Sequence, residues 1–167
     1  MSTYPYRTYA EIDLNKLQHN LQQVRKFVGN DCKIMFVVKA DAYGHGIPMC
    51  AKYSEAFVDY YAVATMDEAM LIRSVGVKKP VLIFGAIQDN EIICAAENDI
   101  TLNAFSLEYA EHINAVLKGS NKTVKCHIEI NTGMNRTGLY ARKENINNAV
   151  ENYLQIKELT QLDVTGT

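Results

Sequence analysis

A chain of 167 residues with 48% apolar and 22% charged side chains is sufficient for one hydrophobic core of ordinary globular type. Its 17 basic and 19 acidic residues leave a net charge of -2 and form no like-charged block, which argues against a nucleic-acid or anionic-membrane surface. No run approaches the roughly 20 apolar residues that span a bilayer, and the opening Met1-Ser2-Thr3-Tyr4-Pro5-Tyr6-Arg7 lacks the apolar core of a secretory leader, so a cytoplasmic protein is expected.

Along the chain, Ala10-Glu11-Ile12 reads as a short extended segment. Asp13 then caps a helix in which Leu14, Leu17, Leu21, Val24 and Val28 recur at three- and four-residue steps. Residues 33–38 (KIMFVV) have the pattern of a buried strand, and Gly44 and Gly46 break the chain before a helix from about Pro48 to Ala56. The unit repeats. Residues 60–64 (YYAVA) form a strand, and Thr65-Met66-Asp67-Glu68 is a capping-box sequence opening a helix that Gly76 closes. Strands follow at 81–84, 100–103 and 123–130, with helices from about Gln88 to Glu97 and from a Ser106 cap to Leu117, where Gly119 ends the turn. A long polar helix over about 142–159 leads to a last strand at 162–165.

Strands separated by helices throughout are βα units. A (β/α)8 barrel and an open doubly wound sheet both fit, but no G-x-G-x-x-G follows any strand, so a dinucleotide fold has no support. Six strands fall short of eight, and such a barrel normally takes ~250 residues; the expectation is an incomplete α/β barrel with about six of its eight units, part of a longer protein. Cys32, Cys50, Cys94 and Cys126 form no C-x-x-C pair and have no zinc-type spacing to a histidine, so neither a metal site nor a disulfide framework is expected; Cys94 and Cys126 read as small core residues.

The segment richest in chemistry is Val37-Val38-Lys39-Ala40-Asp41-Ala42-Tyr43-Gly44-His45-Gly46. It places a lysine at the carboxyl end of a buried strand, the face on which a βα barrel builds its active site. A desolvated lysine there loses its proton and attacks a carbonyl as a neutral amine. The residues alone leave two other readings open: a solvated lysine paired with Asp41, or a carbonyl-condensing aldolase.

The segment VVKADAYGHG resembles the cofactor-attachment signature of the alanine racemases, which carry pyridoxal 5'-phosphate on a barrel domain. Upstream, YAEIDLNKLQHNL is similar to the family's amino-terminal segment; downstream, YAVATMDEAMLIR is similar to its second βα unit, and EINTGMNRTG to its TGMxRxG motif. The four matches are collinear and span essentially the whole chain.

The resemblance implies an isomerase that interconverts L-alanine and D-alanine, supplying D-alanine for the cell wall. Under it, Lys39 holds the cofactor and exchanges the α-proton on one face of the substrate. Tyr43 binds the cofactor phosphate, and Arg136 lies near the cofactor and the substrate carboxylate. Thr132, Gly133 and Met134 form the turn that places Arg136. Asp41 tunes local hydrogen bonding, and His45 is a structural group. Residues 1–167 would be the amino-terminal part of the barrel domain. The remaining strands and a β-domain, whose tyrosine serves as second base across a homodimer, would lie elsewhere, leaving this stretch inactive alone. One departure is Glu129, where many members have a carbamylated lysine; a Glu129–Arg136 pair is expected to replace it. Asn131 and Asn135 stand where Asp and Gly are commoner. A serine or broader-specificity racemase, a basic amino acid decarboxylase on the same barrel and a non-catalytic cofactor-binding barrel are the alternatives.

Overall fold

The computed structural model describes residues 8–167; the reading of residues 1–7 as leaderless falls outside the described residues. Eight strands are present among them: β1 (Met35–Val37), β2 (Tyr60–Val63), β3 (Val81–Ile83), β4 (Ile100–Ala104), β5 (Val124–Ile128), β6 (Ile130–Asn131), β7 (Leu139–Tyr140) and β8 (Leu162–Gly166). Six of them make one parallel sheet in the order β1-β2-β3-β4-β5-β8, while β6 and β7 pair with each other. Strict chain order is what successive right-handed βα units give around a barrel. A doubly wound sheet reverses its order at a switch point, and no reversal occurs here. The architecture is therefore an arc of six barrel staves, with β1 and β8 at its edges.

The outer layer consists of α1 (Leu14–Val28), α3 (Ile47–Ser54), α4 (Met66–Ser74), α5 (Asp89–Glu97), α6 (Leu107–Lys118) and α7 (Ile146–Lys157), with a short turn, α2 (Lys39–Gly44), on the rim between β1 and α3. The caps read from sequence are in place. Asp13 Oδ1 accepts from the Asn15 and Lys16 amides at 3.0 and 3.1 Å, and Ser106 Oγ from the Tyr109 amide at 3.1 Å. Each cap satisfies donors that no helical carbonyl reaches. A further box, not singled out in the sequence, starts α5, where Glu91 Oε2 accepts from the Gln88 amide at 2.8 Å.

The core fills the space between sheet and helices. Val38, Ile47, Val63, Ile72, Ile83, Ile92, Leu102, Ile113, Ile128 and Ile156 are fully or almost fully buried. Alternation along β4 sends Ile100, Leu102 and Ala104 toward the helices and the polar Thr101 and Asn103 toward the inner face. There the Tyr60 and Thr101 hydroxyls hydrogen-bond at 2.6 Å, and the Tyr60 ring lies against His127 with centroids 5.4 Å apart. Burial lowers the pKa of His127.

Two local expectations change. The 123–130 run divides into β5 and β6, so that the chain turns off the sheet at Glu129. The helix expected from 142 begins at Ile146. Cys126 is buried as expected, Cys94 only partly so.

Candidate active site

In a parallel sheet every strand delivers its carboxyl end to one rim. Lys39 follows β1 there, Ala64 follows β2, Phe84 follows β3 and Glu129 follows β5. The Thr132–Arg136 loop leaves the same rim between β6 and β7. The topology thus gathers the sequence's candidate residues on one face.

The backbone after Lys39 was not foreseen. Ala40, Asp41, Ala42 and Tyr43 all have φ between 52° and 54° and ψ between 40° and 50°, one full turn of left-handed helix. Each L-residue in that conformation costs roughly 1–2 kcal/mol, so the turn stores on the order of 4–8 kcal/mol, comparable with the whole stability of many domains. Strain of that size persists only where the surroundings over-determine it. Val38, Ala42 and Ile47 anchor the turn in the core, at 0%, 6% and 0% exposure. The Ala42 amide donates to the Val38 carbonyl at 2.8 Å and the Gly46 amide to the Asp41 carbonyl at 2.9 Å. Asp41 Oδ1 accepts from the Ile47 amide at 2.9 Å, closing the start of α3. His45 Nδ1 lies 2.8 Å from the Ala42 carbonyl, which places that imidazole in the turn's support, as read.

Glu68 completes the set. Its Oε1 accepts from the Ala40 amide at 2.6 Å and its Oε2 from the Ala64 amide at 2.8 Å. The capping-box reading is therefore half right. Thr65 Oγ1 does accept from the Glu68 amide at 3.3 Å, but the glutamate reaches across to β1's exit instead of back to Thr65.

Lys39 itself is half-buried, and among the described residues its amine enters no hydrogen bond or ion pair. The Asp41 alternative is not realised in this structure: no Lys39–Asp41 ion pair occurs among the described residues, and Asp41 Oδ1 accepts from the Ile47 amide instead. Tyr43 is 59% exposed and lines an open cleft of about 450 Å³ shared with Asp13, Lys16, Asn20 and His45; Lys39 does not line it.

On the far side of the rim, Glu129 does not pair with Arg136. Its Oε2 accepts from Asn103 Nδ2 at 2.6 Å and its Oε1 from the Thr137 hydroxyl at 2.8 Å. Arg136 is exposed, with one guanidinium nitrogen 3.3 Å from Met134 Sδ. The expected pair is replaced because both carboxylate oxygens are taken, one by Asn103 from β4 and the other by Thr137, next in sequence to the arginine. Asn131 is 7% exposed, and its Oδ1 accepts from the amides of Gly133 and Asn135, each at 3.1 Å. An aspartate would make the same contacts, so Asn131 preserves the loop. Gly138, at φ +100°, lies where a Cβ would come within 2.9 Å of Glu129 Cγ. Glu68, Asn103, Thr137 and Gly138 are thus site-building residues that sequence reading missed; a polar Asn103 inside the apolar run of β4 was the available signal.

A half-buried primary amine on a strained rim turn, without a partner among the described residues, fits a cofactor that carries an aldehyde, and a tyrosine on the same turn and an arginine on the same rim suit an anionic one. Pyridoxal phosphate meets both requirements. Tyr43 and Arg136 make no mutual contact and none with Lys39 among the hydrogen bonds of the described residues.

Comparison with known proteins adds independent findings. Residues 12–167 match the family model described as alanine racemase, N-terminal domain. An alanine racemase of Methanococcus maripaludis is 38% identical over 159 residues, 95% of this chain and 42% of that relative. The structure of a Clostridium difficile alanine racemase in complex with cycloserine superposes with a TM-score of 0.87 at 34% identity, covering 98% of this chain and 44% of that one. A histidine racemase from Leuconostoc mesenteroides aligns with a TM-score of 0.74 at 26% identity over 89% of this chain and 39% of its own. The chain therefore spans about two fifths of the length of these relatives.

Proposed function

The chain belongs to the alanine racemase family through its N-terminal domain, and from that premise we propose that it forms the cofactor-bearing part of a pyridoxal-phosphate-dependent racemase interconverting L-alanine and D-alanine. The observation that carries this reading is the amine of Lys39, without a partner among the described residues and held at the carboxyl rim of the strands by a left-handed turn. Residues 1–167 constitute the amino-terminal part of the barrel domain in this reading, and the working assembly is a homodimer in the cytoplasm.

When bound, the cofactor delocalises the electron pair left as the α-proton departs. The chain's own residues do the rest. Lys39 Nζ would hold the cofactor and would move a proton on one face of the substrate's α-carbon. Tyr43 supplies a hydroxyl to the phosphate. Arg136 supplies a positive charge and planar donors for the substrate carboxylate. Glu129, through Thr137 and Asn103, sets the loop on which that arginine rides. Inversion needs a second proton-transfer group on the opposite face, which none of these residues provides.

A second reading, racemisation of serine or of a wider range, is favoured by the histidine racemase on the same fold. An apolar pocket separates an alanine from a serine side chain by only ~10²-fold, so a kcat/KM panel over amino acids decides between them. The primary reading is tested by incubating the protein with pyridoxal phosphate, reducing with borohydride and mapping the labelled peptide. Label on Lys39, lost in Lys39→Ala, supports it; label distributed over other lysines removes it.

A further inference from the structure

We propose that Glu68 is a positioning residue for Lys39, acting through the backbone as a carboxylate clasp between two strand ends. This rests on the reading of Lys39 as the cofactor amine. The Ala40 amide belongs to the residue immediately after Lys39, and it is the first to enter the left-handed region, at φ 52°. Its hydrogen goes to Glu68 Oε1 at 2.6 Å. The second oxygen of the same carboxylate takes the Ala64 amide at 2.8 Å, where the chain leaves β2. One side chain thus fixes the exit of β1 against the exit of β2, two neighbours already joined by the Val38 amide to the Ala62 carbonyl at 2.9 Å.

Three observations separate this from ordinary helix capping. Thr65 caps α4 with its own hydroxyl, so the helix start does not need the Glu68 carboxylate. Glu68 forms no ion pair among the described residues, so both oxygens are used on amides. And the two amides lie 24 residues apart in sequence, beyond the ends of different strands, which a local capping box never spans. A carboxylate is the group for this task, since it offers an acceptor to each amide and the bonds are charge-assisted. Glutamine offers one acceptor oxygen and turns an N–H toward the other amide. Aspartate is one methylene short. With Ala40 released, the strained turn relaxes toward right-handed or extended backbone, and the direction of the Lys39 side chain changes with it.

The test compares wild type with Glu68→Gln, Glu68→Asp, Thr65→Ala and Lys39→Ala in the full protein. Amide hydrogen exchange is read at Ala40 and Ala64, and the pH profile of borohydride-trapped pyridoxal phosphate on Lys39 is read in parallel. In Glu68→Gln and Glu68→Asp, exchange at Ala40 rises at least ~10-fold, the loss expected for one charge-assisted hydrogen bond, and Lys39 labelling slows with a displaced pH profile. Thr65→Ala removes a cap of similar stability and leaves labelling as in wild type. Unchanged exchange at Ala40 in Glu68→Gln overturns the clasp, whatever the cofactor does. Exchange that rises while labelling and its pH profile stay at wild-type values overturns the link to Lys39, as does equal slowing in Thr65→Ala. Absence of label on Lys39 in wild type overturns the cofactor assignment, while the exchange result still decides the clasp.

Discussion

Thr137 donates its hydroxyl to Glu129 at 2.8 Å, and through that bond the strand end of β5 grips the loop one residue beyond Arg136. Asn103 holds the other carboxylate oxygen from β4. The charge on Glu129 therefore orders the arginine's loop without meeting the arginine. Thr137→Val is expected to lower stability by about 1 kcal/mol, the usual net value of one hydrogen bond. Glu129→Gln costs about 1 kcal/mol: the Thr137 hydroxyl can turn to accept from the new amide N–H, but both bonds lose their charge assistance. The two effects should fall short of additivity in a double-mutant cycle read by denaturant unfolding; full additivity removes the contact from the account.

The glycine that closes this loop is held to its identity by space as well as by dihedral angle. A Cβ on Gly138 meets Glu129 Cγ at 2.9 Å, the Glu129 carbonyl at 3.0 Å and the Asn131 amide at 3.1 Å, at φ +100°. Two of the three are backbone atoms that do not swing aside. Gly138→Ala is expected to cost ~2 kcal/mol or more in unfolding free energy. A loss below about 0.5 kcal/mol, measured the same way, would show that the loop re-forms elsewhere.

Much of this was legible in the sequence. The strand at 35–37 followed from an apolar run bounded by Lys33 and Lys39, and the helices announced themselves through Asp13, Thr65 and Ser106. Lys39 was placed on the correct rim because parallel order leaves no other. The left-handed turn was not legible: Ala40, Asp41, Ala42 and Tyr43 include no glycine, and only the buried anchors and Glu68 impose that backbone. The direction of Glu129 was equally hidden. Its partner Asn103 is 26 residues away on another strand, and local sequence favoured the arginine seven positions on.

Asp59 supplies a pH-dependent link between layers. Its Oδ2 accepts from the Ile34 amide at 2.8 Å and from Arg25 at 2.6 Å, tying α1 to the entry of β1. The Ile34 amide, then Arg25, hold its carboxyl below the ordinary value of 3.8, against a partial opposing effect of burial. A folded-state value below the unfolded one means that the unfolded chain binds the proton more readily as pH falls. The contribution is thus fully present above about pH 4 and is lost as pH drops through the folded-state value. The pair is partly solvated, so its worth is about 1 kcal/mol. Asp59→Asn should lower the unfolding midpoint at pH 7, and the gap to wild type should close in acid. A gap that stays constant to pH 2 argues against the linkage.

The cysteines divide by environment. Cys32 is exposed, while Cys50 and Cys126 are buried. Burial, with a smaller contribution from Asp163, pushes the Cys126 thiol up to about 12, and burial followed by Asp41 raises Cys50. Only the thiolate reacts, so both are doubly protected. A thiol reagent at pH 8 should modify Cys32 at once. Cys50 and Cys126 should react slower by ~10³ or more, since opening the core costs several kcal/mol. Mapping the modified peptides over time checks the order.

Ala40 offers the most direct measure of the strain beside Lys39. It is exposed, so replacing its methyl sacrifices little buried surface, and its φ of 52° is one that glycine adopts freely. Ala40→Gly removes a conformational cost of roughly 1–2 kcal/mol and adds up to ~1 kcal/mol of unfolded-chain entropy. The net expectation is a protein as stable as wild type or up to ~1 kcal/mol more so, whereas the same change at a right-handed position destabilises. Ala40→Val goes the other way: a β-branched residue is strongly disfavoured at positive φ, and the loss should exceed ~2 kcal/mol. The ordering Gly ≥ Ala > Val in unfolding midpoints is specific to a left-handed backbone. If Val equals Ala, the backbone after Lys39 is not left-handed in solution, and the strained turn ceases to be the device that aims the amine.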